Sequence, residues 1–270
     1  MSHRELGQLT VAITGGARGI GAAAARQLRD AGARVVISDR DETLLGRTAD
    51  ELGVLGHPLD VTDPEQWEAF ASTVGRIDVL VNNAGIMPVG LFTEERPGVT
   101  EQVFAINTMG PIHGTRTFAP RMIAQGGGHI VNIASAVGRV ALPGGATYSA
   151  SKHAVVGFTE AVREELAPYG VDVSMVLPVI VQTDLSRGVS STRGVPETKP
   201  EDVADVIVDV IRRPVAEAWA PCWGQPVAKV SSILPRRMKD LASRAFKADS
   251  VLTGADANVR AAYEADVRGR

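Results

Sequence analysis

The stretch Leu9-Thr10-Val11-Ala12-Ile13-Thr14-Gly15-Gly16-Ala17-Arg18-Gly19-Ile20-Gly21 decides the fold. Its first five residues form a short, apolar run rich in β-branched side chains, which predicts a buried strand. A glycine-rich turn follows and leads into an alanine-rich helix, for which we expect Gly32 to be the C-cap. This order predicts a cradle for a pyrophosphate, because glycines let the backbone approach phosphates and a helix N-terminus presents N–H groups.

The spacing of the glycines narrows the kind of turn. Gly15, Gly19 and Gly21 follow the pattern Gly-x-x-x-Gly-x-Gly, which differs from the Gly-x-Gly-x-x-Gly of longer-chain dehydrogenases. The small residues at 22–25 fit a helix that lies close to a sheet. A plain glycine-rich turn is the alternative interpretation, and the flanking strand and helix argue against it.

Segments typical of strands and helices alternate along the rest of the chain. The predicted strands are residues 34–38, 54–61, 77–81, 129–133, 171–177 and the edge strand 217–220, and the predicted helices include 101–122, 148–166 and 201–213. This alternation predicts an α/β fold with a doubly wound parallel sheet, the Rossmann fold, covered by helices on both faces. Ligands bind at the carboxyl ends of the strands in such a sheet.

Three side chains with useful chemistry follow the predicted strand 129–133. Ser135 comes just after it, and Tyr148 and Lys152 are four residues apart, so a helix that begins at Tyr148 places them on one face. We expect the ammonium group to lower the pKa of the phenol, because a nearby opposite charge favours the phenolate. Such a phenol could exchange a proton with an alcohol. Taken alone, the Tyr-x-x-x-Lys spacing fits an ordinary surface helix equally well.

Composition and charge exclude several classes of protein. The chain has 270 residues and a formal net charge of −3, so no basic excess suggests a nucleic-acid partner. Its one cysteine, Cys222, excludes an internal disulfide framework and suits a reducing cytoplasm. The five histidines are scattered without ligand spacing, so we expect no metal site. Met1 is not followed by an apolar signal core, and no run is long enough to span a bilayer, which favours a cytoplasmic location.

An acidic residue at the end of the second predicted strand bears on the choice of nucleotide. Asp39 could accept hydrogen bonds from a ribose 2′-hydroxyl and would repel a 2′-phosphate, which favours NAD. Arg18 and Arg40 could each attract a 2′-phosphate. We therefore predict NAD and keep NADP as the alternative.

Four motifs in the expected order resemble the short-chain dehydrogenase/reductase family. They are the glycine turn, the tetrapeptide Asn82-Asn83-Ala84-Gly85, the Ser135, Tyr148 and Lys152 set, and the segment Pro178-Val179-Ile180-Val181-Gln182-Thr183. The resemblance extends over about residues 7–220. One position departs from it, because Val179 stands where the family has a glycine and cannot easily adopt a positive φ.

The resemblance implies roles for four catalytic residues. Tyr148 would exchange the substrate proton, Lys152 would lower the pKa of Tyr148 and anchor the ribose, and Ser135 would orient the substrate oxygen. Asn107, on the apolar stripe of the predicted helix 101–122, would hold a water linked to Lys152. A half-exposed position for Asn107 on the flank of the helix is the alternative.

The resemblance also implies a set of cofactor-binding residues along the carboxyl edge of the sheet. Asp60 would meet the adenine amine and Val61 would line its pocket, although Asp60 could instead cap the helix that follows it. In the family, an arginine at the position of Arg18 is common in NADP-preferring members, and an acid at Asp39 usually decides for NAD. The full predicted set is Gly15, Arg18, Gly19, Ile20, Gly21, Asp39, Arg40, Asp60, Val61, Asn83, Ala84, Gly85, Tyr148, Lys152, Pro178, Val181 and Thr183.

Two segments lie outside these motifs. Residues 186–199 are polar and rich in glycine, and we interpret them as a lid over the substrate. From residue 226 the chain exceeds the family core, so we predict a dinucleotide-binding and catalytic domain over 1–225 and a helical extension over 226–270. The extension could pack on the body or on a neighbouring subunit, or it could be a basic amphipathic surface that touches a membrane or covers an apolar substrate.

The sequence therefore predicts an oxidoreductase that transfers a hydride between NAD(H) and a secondary alcohol or ketone. Apolar residues around Ser135 and after the fourth strand, such as Leu142 and Met87, suggest an apolar substrate. An NADP-dependent ketone reductase and a non-catalytic nucleotide-sensing protein of the same fold are the alternatives. By the resemblance, we expect a homo-oligomer, either a dimer or a tetramer.

Overall fold

A seven-stranded parallel sheet forms the centre of the protein. The computed structural model describes residues 4–189, 198–235, 237–238, 251–256, 259–261, 263 and 265. The strands lie in the order β3-β2-β1-β4-β5-β6-β7. Their bounds are β1 Thr10–Thr14, β2 Arg34–Asp39, β3 Leu55–Pro58, β4 Val79–Asn82, β5 Gly128–Ile133, β6 Val171–Pro178 and β7 Glu217–Ala220. The predicted doubly wound α/β sheet is confirmed.

Helices cover both faces of this sheet. They are α1 Gly19–Asp30, α2 Glu42–Leu52, α3 Pro64–Val74, α4 Val99–Phe104, α5 Gly110–Ala124, α6 Ala146–Leu166, α7 Pro200–Arg212 and α8 Gly224–Ile233. Side chains alternate between the faces along each strand. Val11 and Ile13 of β1 therefore join the core beneath α1, α2 and α7, whereas Ala12 joins the core beneath α3 and α5.

Several predicted boundaries differ from the structure, and three of these differences concern helix α1, the third strand and the helix that carries Asn107. Helix α1 ends at Asp30 with Ala31 as its C-cap, and Gly32 adopts the left-handed conformation one residue later, with a φ of 88°. The third strand ends at Pro58 rather than at residue 61, where its pairing with Asp39 of β2 also ends. The predicted helix 101–122 is divided by a π-helical turn, Ala105–Met109.

A proline accounts for the division of that helix. Pro111 has no N–H group, so the carbonyl of Asn107 lacks the donor that an α-helix would supply from four residues ahead. The N–H of Gly110 instead bonds to the carbonyl of Ala105, five residues earlier. The wider turn that results places Asn107 inside the protein.

The two halves of the sheet meet between β1 and β4. The chain leaves the edge strand β3 and enters β4 on the other side of β1, so this is the point at which the strand order reverses. Asn83 fastens the crevice there: its Nδ2 donates to the carbonyls of Thr14 at 2.9 Å and of Gly15 at 3.0 Å. The glycine turn is thus fixed against the exit of β4.

The chain beyond β7 is described in part. Helix α8 begins two residues before the boundary predicted at 225/226 and continues across it. Further on, Val251, Leu252 and Tyr263 are buried against the body of the domain. Residues 190–197 of the predicted lid lie outside the described residues, as do several members of the predicted amphipathic extension, Arg236, Lys239, Leu241, Arg244 and Lys247. Within the ranges given above, none of the helices combines the length and apolar character that crossing a membrane requires.

Gly21 offers a test of how tightly the glycine turn is packed. A Cβ on Gly21 would lie 2.2 Å from the carbonyl oxygen of Gly15 and 2.7 Å from Nδ2 of Asn83. We expect Gly21→Ala to lower the free energy of unfolding by about 1–3 kcal/mol, because the crowded backbone has to move. Urea denaturation measures this change.

Gly46 provides the matched control. It is exposed in helix α2, and a Cβ there would meet nothing within 4 Å. Gly46→Ala should raise the free energy of unfolding by about 0.5–1 kcal/mol, since alanine favours the helix. Equal effects of the two substitutions would contradict the packing assigned to the turn.

Candidate active site

A cavity of about 380 Å³ opens at the carboxyl edge of the sheet. Nearly all the predicted site residues line it. They are Gly15, Arg18, Gly19, Ile20, Asp39, Arg40, Asp60, Val61, Asn83, Ala84, Gly85, Ser135, Tyr148, Lys152, Pro178, Val181 and Thr183. The two that do not line it are Gly21, which packs against Gly15, and Asn107.

Ser135, Tyr148 and Lys152 meet at one wall of this cavity. Ser135 lies two residues after the end of β5, and its hydroxyl is close enough to the phenol of Tyr148 to lower the pKa of that phenol. Helix α6 begins at Ala146, so Tyr148 and Lys152 lie one turn apart on the same face, as the spacing predicts. The Nζ of Lys152 lies 5.9 Å from the centroid of the Tyr148 ring and donates to the carbonyl of Ile133 at 2.8 Å.

The prediction that the phenol of Tyr148 is made more acidic is wrong for this arrangement. Burial raises the pKa of Tyr148 to about 12; the neighbouring hydroxyl of Ser135 lowers it only in part, and Tyr263 raises it further. Burial also lowers the pKa of Lys152 to about 8, because the ammonium group is removed from water. Near neutral pH the phenol is therefore uncharged and can donate its proton.

Asn107 lies behind the cavity wall. Its Nδ2 donates to the carbonyl of Ile86 at 2.9 Å and to the hydroxyl of Ser151 at 3.1 Å, and its Oδ1 accepts from the N–H of Ile86 at 2.8 Å. The alternative of a half-exposed Asn107 is wrong, since the residue is fully buried. A Cβ on Gly85 would lie 3.3 Å from this Oδ1 and 3.7 Å from Nζ of Lys152, so the two polar groups face the same small space.

The carboxylate of Asp39 supports the glycine turn. Its Oδ2 accepts from the N–H of Ala17 at 3.3 Å, and its Oδ1 accepts from the N–H of Asp41 at 3.2 Å. Arg18 and Arg40 line the cavity beside it. The carboxylate of Asp39, which favours NAD, and the guanidinium groups of Arg18 and Arg40, which would favour NADP, therefore reach the same end of the cavity.

The alternative interpretation, in which Asp60 caps the helix that follows it, is wrong. Asp63 caps helix α3 and accepts from the N–H groups of Glu65 and Gln66. Asp60 instead accepts from the N–H of Thr62 at 2.9 Å and from its hydroxyl at 2.7 Å, which closes a turn at the cavity edge. This turn leaves Asp60 and Val61 at the lining.

The segment after β6 accommodates Val179 without loss of the cavity wall. The N–H of Val179 donates to the carbonyl of Ala220 at 2.9 Å, and its side chain packs with the cluster around Leu177 and Trp219. The carbonyl of Val181 accepts from the hydroxyl of Ser186. The backbone on both sides of position 179 is thus tied down.

Comparison with known proteins identifies the family. A family model described as short chain dehydrogenase matches residues 9–194 of the chain. The chain belongs to the short-chain dehydrogenase family. The predicted family is thereby confirmed.

Relatives and solved structures agree with this family. The chain is similar to a protein named probable oxidoreductase EphD from Mycobacterium tuberculosis, with 32% identity over 270 residues and 87% of this chain covered. The chain spans about half the length, 45%, of that relative. Among solved structures, it is similar to a short chain dehydrogenase/reductase from Burkholderia phymatum in complex with NAD, with a TM-score of 0.78, 28% identity, and coverage of 89% of this chain and 96% of the other. It is also similar to a short chain dehydrogenase from Burkholderia cenocepacia in complex with NADP, with a TM-score of 0.79, 30% identity, and coverage of 89% and 98%.

The family pattern does not account for the part of the cavity that residues near the C-terminus line. Val251, Leu252 and Tyr263 line the cavity there, although the family model ends at residue 194. Sequence analysis assigned these three residues only to a helical extension. They show no periodicity that points to a site, and an apolar pair followed by a tyrosine is too common a pattern to indicate one.

The described residues contain no metal centre. Within them, no group of three or more His, Cys, Asp or Glu side chains could hold a metal ion. At Ser135, Tyr148 and Lys152 the cavity wall instead presents two hydroxyl groups and an ammonium group, which suit hydrogen bonding and proton transfer.

The pKa of Lys152 can be measured without any ligand. The chain has five lysines, so protein labelled with ¹³C at lysine Cε gives a simple NMR spectrum. We expect one Cε resonance to titrate with a midpoint near pH 8, because burial disfavours the charged amine of Lys152. That resonance should be missing in Lys152→Met. If the resonance that disappears in Lys152→Met titrates near the ordinary lysine value of 10.5 in the wild-type protein, Lys152 is not buried as described.

Proposed function

We propose that the chain is an NAD(H)-dependent oxidoreductase that interconverts ketones and secondary alcohols and favours apolar substrates. The observation that carries this proposal is the convergence of Ser135, Tyr148 and Lys152 on the same cavity as the glycine turn. A hydroxyl and a phenol side by side can hold one carbonyl oxygen, and a proton donor placed there suits the reaction class.

The residues of the cavity fit a nicotinamide dinucleotide. The N-terminus of the twelve-residue helix α1, with Gly19 and Ile20 at the lining, suits a pyrophosphate. Gly15, with a φ of 63°, leaves no room for a Cβ, which would lie 2.9 Å from the Cα of Ala84. Asp39 would bind the adenosine ribose, and Asp60 and Val61 would line the adenine pocket. At the other end, Val181 and Thr183 would hold the nicotinamide side.

The bound dihydronicotinamide would supply the hydride. Tyr148 would donate its proton to the substrate oxygen, and Ser135 would orient that oxygen. Lys152 would bind the nicotinamide ribose through its ammonium group, which donates to the carbonyl of Ile133. A neutral phenol is the form that donates a proton, and the raised pKa of Tyr148 keeps the phenol in that form near neutral pH.

An apolar lining supports the proposed substrate class. Of the apolar residues singled out from the sequence, Met87, Val137 and Leu142 line the cavity. The structure adds a larger apolar set to them: Val179, Ile180, Leu185, Val189, Val251 and Leu252. Burying alkyl groups of a substrate against such a wall contributes roughly 25 cal/mol per Å² of apolar area.

Tyr148→Phe tests the proton donor. We expect this change to lower the turnover of ketone reduction by about 10²–10⁴-fold, because general acid catalysis contributes about that much. The dissociation constant of NADH should change less than about twofold, since the ring and the backbone of helix α6 stay in place. The absorbance of reduced cofactor measures turnover across a panel of ketones.

Tyr169→Phe is the matched control, because Tyr169 is exposed in the turn after α6 and lies outside the cavity. It should leave turnover unchanged. Equal activity of Tyr148→Phe and wild type would falsify the role of Tyr148. If no ketone oxidises NADH in the presence of the wild-type protein, although the protein binds NADH, the alternative of a nucleotide-sensing protein without turnover is supported.

NADP is the second candidate cofactor, and a specific observation favours it. Arg18 and Arg40 line the cavity near Asp39, so two cationic groups flank the place where a 2′-phosphate would lie. Asp39 opposes them, because its carboxylate holds the backbone of the glycine turn and faces the same end of the cavity. We infer that the carboxylate decides the preference for NAD.

Asp39→Asn tests that inference. Removal of the charge should shift the ratio of kcat/KM for NADH over kcat/KM for NADPH toward NADPH by at least about tenfold, which corresponds to about 1.4 kcal/mol of differential binding. Asp41→Asn is the control: it removes the same charge two residues away, outside the cavity, and an asparagine still caps helix α2. A wild-type preference for NADPH that Asp39→Asn does not change would contradict the inference.

A homo-oligomer and a cytoplasmic location stay predictions. The resemblance to the family supports the first, and the single cysteine, Cys222, which is free and exposed, supports the second.

A further inference from the structure

One segment near the C-terminus contacts three loops that leave the carboxyl ends of β4, β5 and β6. We call it the C-terminal segment, and it comprises the described residues 251–256, 259–261 and 263. At the β4 loop, Met87 is bound from both sides: its N–H donates to the hydroxyl of Tyr263 at 2.8 Å, and its carbonyl accepts from Arg260 at 2.7 Å. The β4 loop is therefore held by two residues of this segment.

The β6 loop is held by the same arginine. Nη1 of Arg260 donates to the carbonyls of Leu185 at 3.0 Å and Arg187 at 3.1 Å. One residue further along this loop, the carbonyl of Gly188 accepts from the N–H of Asp256 at 2.9 Å. A single guanidinium thus bridges loops from two strands that lie on either side of β5.

The β5 loop fits closely against the start of the segment. A Cβ on Gly144, which has a φ of 80°, would lie 2.7 Å from the backbone nitrogen of Thr253. A Cβ on Gly145 would lie 2.6 Å from Cδ1 of Leu252. Gly145 is the N-cap of helix α6, which carries Tyr148, so the segment packs next to the proton donor.

The side chain of Arg260 is buried and held in one defined position. The residue is only 2% exposed. Removing a guanidinium from water is expensive unless its donors are paired, and here three hydrogen bonds to backbone carbonyls pair them. The guanidinium carbon also lies 5.1 Å from the centroid of the Tyr263 ring, a cation–π contact that orders the two side chains together.

The inner side of the segment faces the cavity. Val251, Leu252 and Tyr263 line it together with Met87 and Leu185, the residues that Arg260 fastens. Tyr263 is close enough to Tyr148 to raise its pKa. The segment consequently forms the wall of the cavity beside the proton donor and away from the glycine turn.

We propose that the C-terminal segment sets the size limit for the alkyl group of the substrate, with Leu252 and Tyr263 as specificity-determining residues and Arg260 as the positioning residue. The proposal rests on the proposed function, because it names the apolar carbonyl compounds that the site accepts. The ligand of this wall is the hydrocarbon portion of such a compound, and its carbonyl oxygen lies at Ser135 and Tyr148.

The test uses a series of N-alkylformamides of increasing chain length. An amide carbonyl resembles a ketone and is not reduced by dihydronicotinamide, so binding is measured without turnover. Dissociation constants come from the fluorescence of NADH bound to the full chain. For the wild-type protein we expect affinity to rise about fourfold with each added methylene and then to fall when the chain reaches the wall.

Leu252→Ala should move this maximum to longer chains by one or two carbons, because the substitution opens the wall. Leu55→Ala is the matched control: Leu55 is 55% exposed on the edge strand β3, and its loss should leave the maximum unchanged. A maximum that stays in place in Leu252→Ala overturns the proposal, and so does a wild-type protein that binds NADH but none of the formamides.

Arg260→Ala should weaken the binding of every formamide at least tenfold while the dissociation constant of NADH alone changes less than about twofold. Arg260→Lys should give an intermediate result, because lysine keeps the charge but not the planar fork of donors.

Tyr263→Phe leaves the arginine in place and keeps the test decisive if Arg260→Ala does not fold. Hydrogen exchange of peptides that contain Met87 should be at least tenfold faster in Tyr263→Phe than in wild type, since the acceptor of that N–H is removed.

These readouts separate the two proposals. Formamide binding with the expected shifts, but no turnover of any ketone, contradicts the proposed function and leaves the role of the segment supported. The opposite outcome is ketone turnover together with formamide affinities and Met87 exchange that no substitution at Leu252, Arg260 or Tyr263 alters. It shows that the segment does not form the wall.

Discussion

The parallel pairing of β1 with β4 is the constraint on which the rest of the structure depends. It brings the glycine turn of the first half next to the exit of β4, and Asn83 fixes the two together through the carbonyls of Thr14 and Gly15. Because all seven strands run in the same direction, the loops that follow their carboxyl ends emerge at this one edge. The cavity, the helix N-terminus beside it and the meeting of Ser135, Tyr148 and Lys152 are consequences of that geometry.

Burial then decides the charge state of the site. Tyr148 and Lys152 are both removed from water, and the lost hydration raises the pKa of the phenol and lowers that of the amine. The pKa of each group is thus shifted so that the uncharged form is favoured. For the phenol, this shift is opposite to the one that a neighbouring cation alone would cause. The result favours a neutral phenol that donates a proton over a phenolate that accepts one. In this protein the removal of both groups from water affects their pKa values more than the interaction between the two groups does.

The C-terminal segment adds a second layer of organisation on top of the sheet. The loops after parallel strands have few neighbours of their own, and here a buried arginine connects two of them through backbone carbonyls. The same segment fits against glycines at the start of α6 and supplies apolar residues to the cavity. The part of the chain that lies beyond the family match therefore contributes to the lining of the cavity.

The sequence by itself determined the fold, the family, the glycine turn between β1 and α1, and the grouping of Ser135 with Tyr148 and Lys152. Each depends on local order and spacing: strand, turn and helix in succession, or two side chains one helical turn apart. Only the tertiary structure decided the direction of the pKa shift of Tyr148, the burial of Asn107 in a π-helical turn before Pro111, and the choice of Asp63 rather than Asp60 as a helix cap. It alone also placed Tyr263 at the cavity, more than a hundred residues along the chain from Tyr148. These features depend on desolvation and on contacts between segments far apart in the chain, which no local pattern of residues encodes.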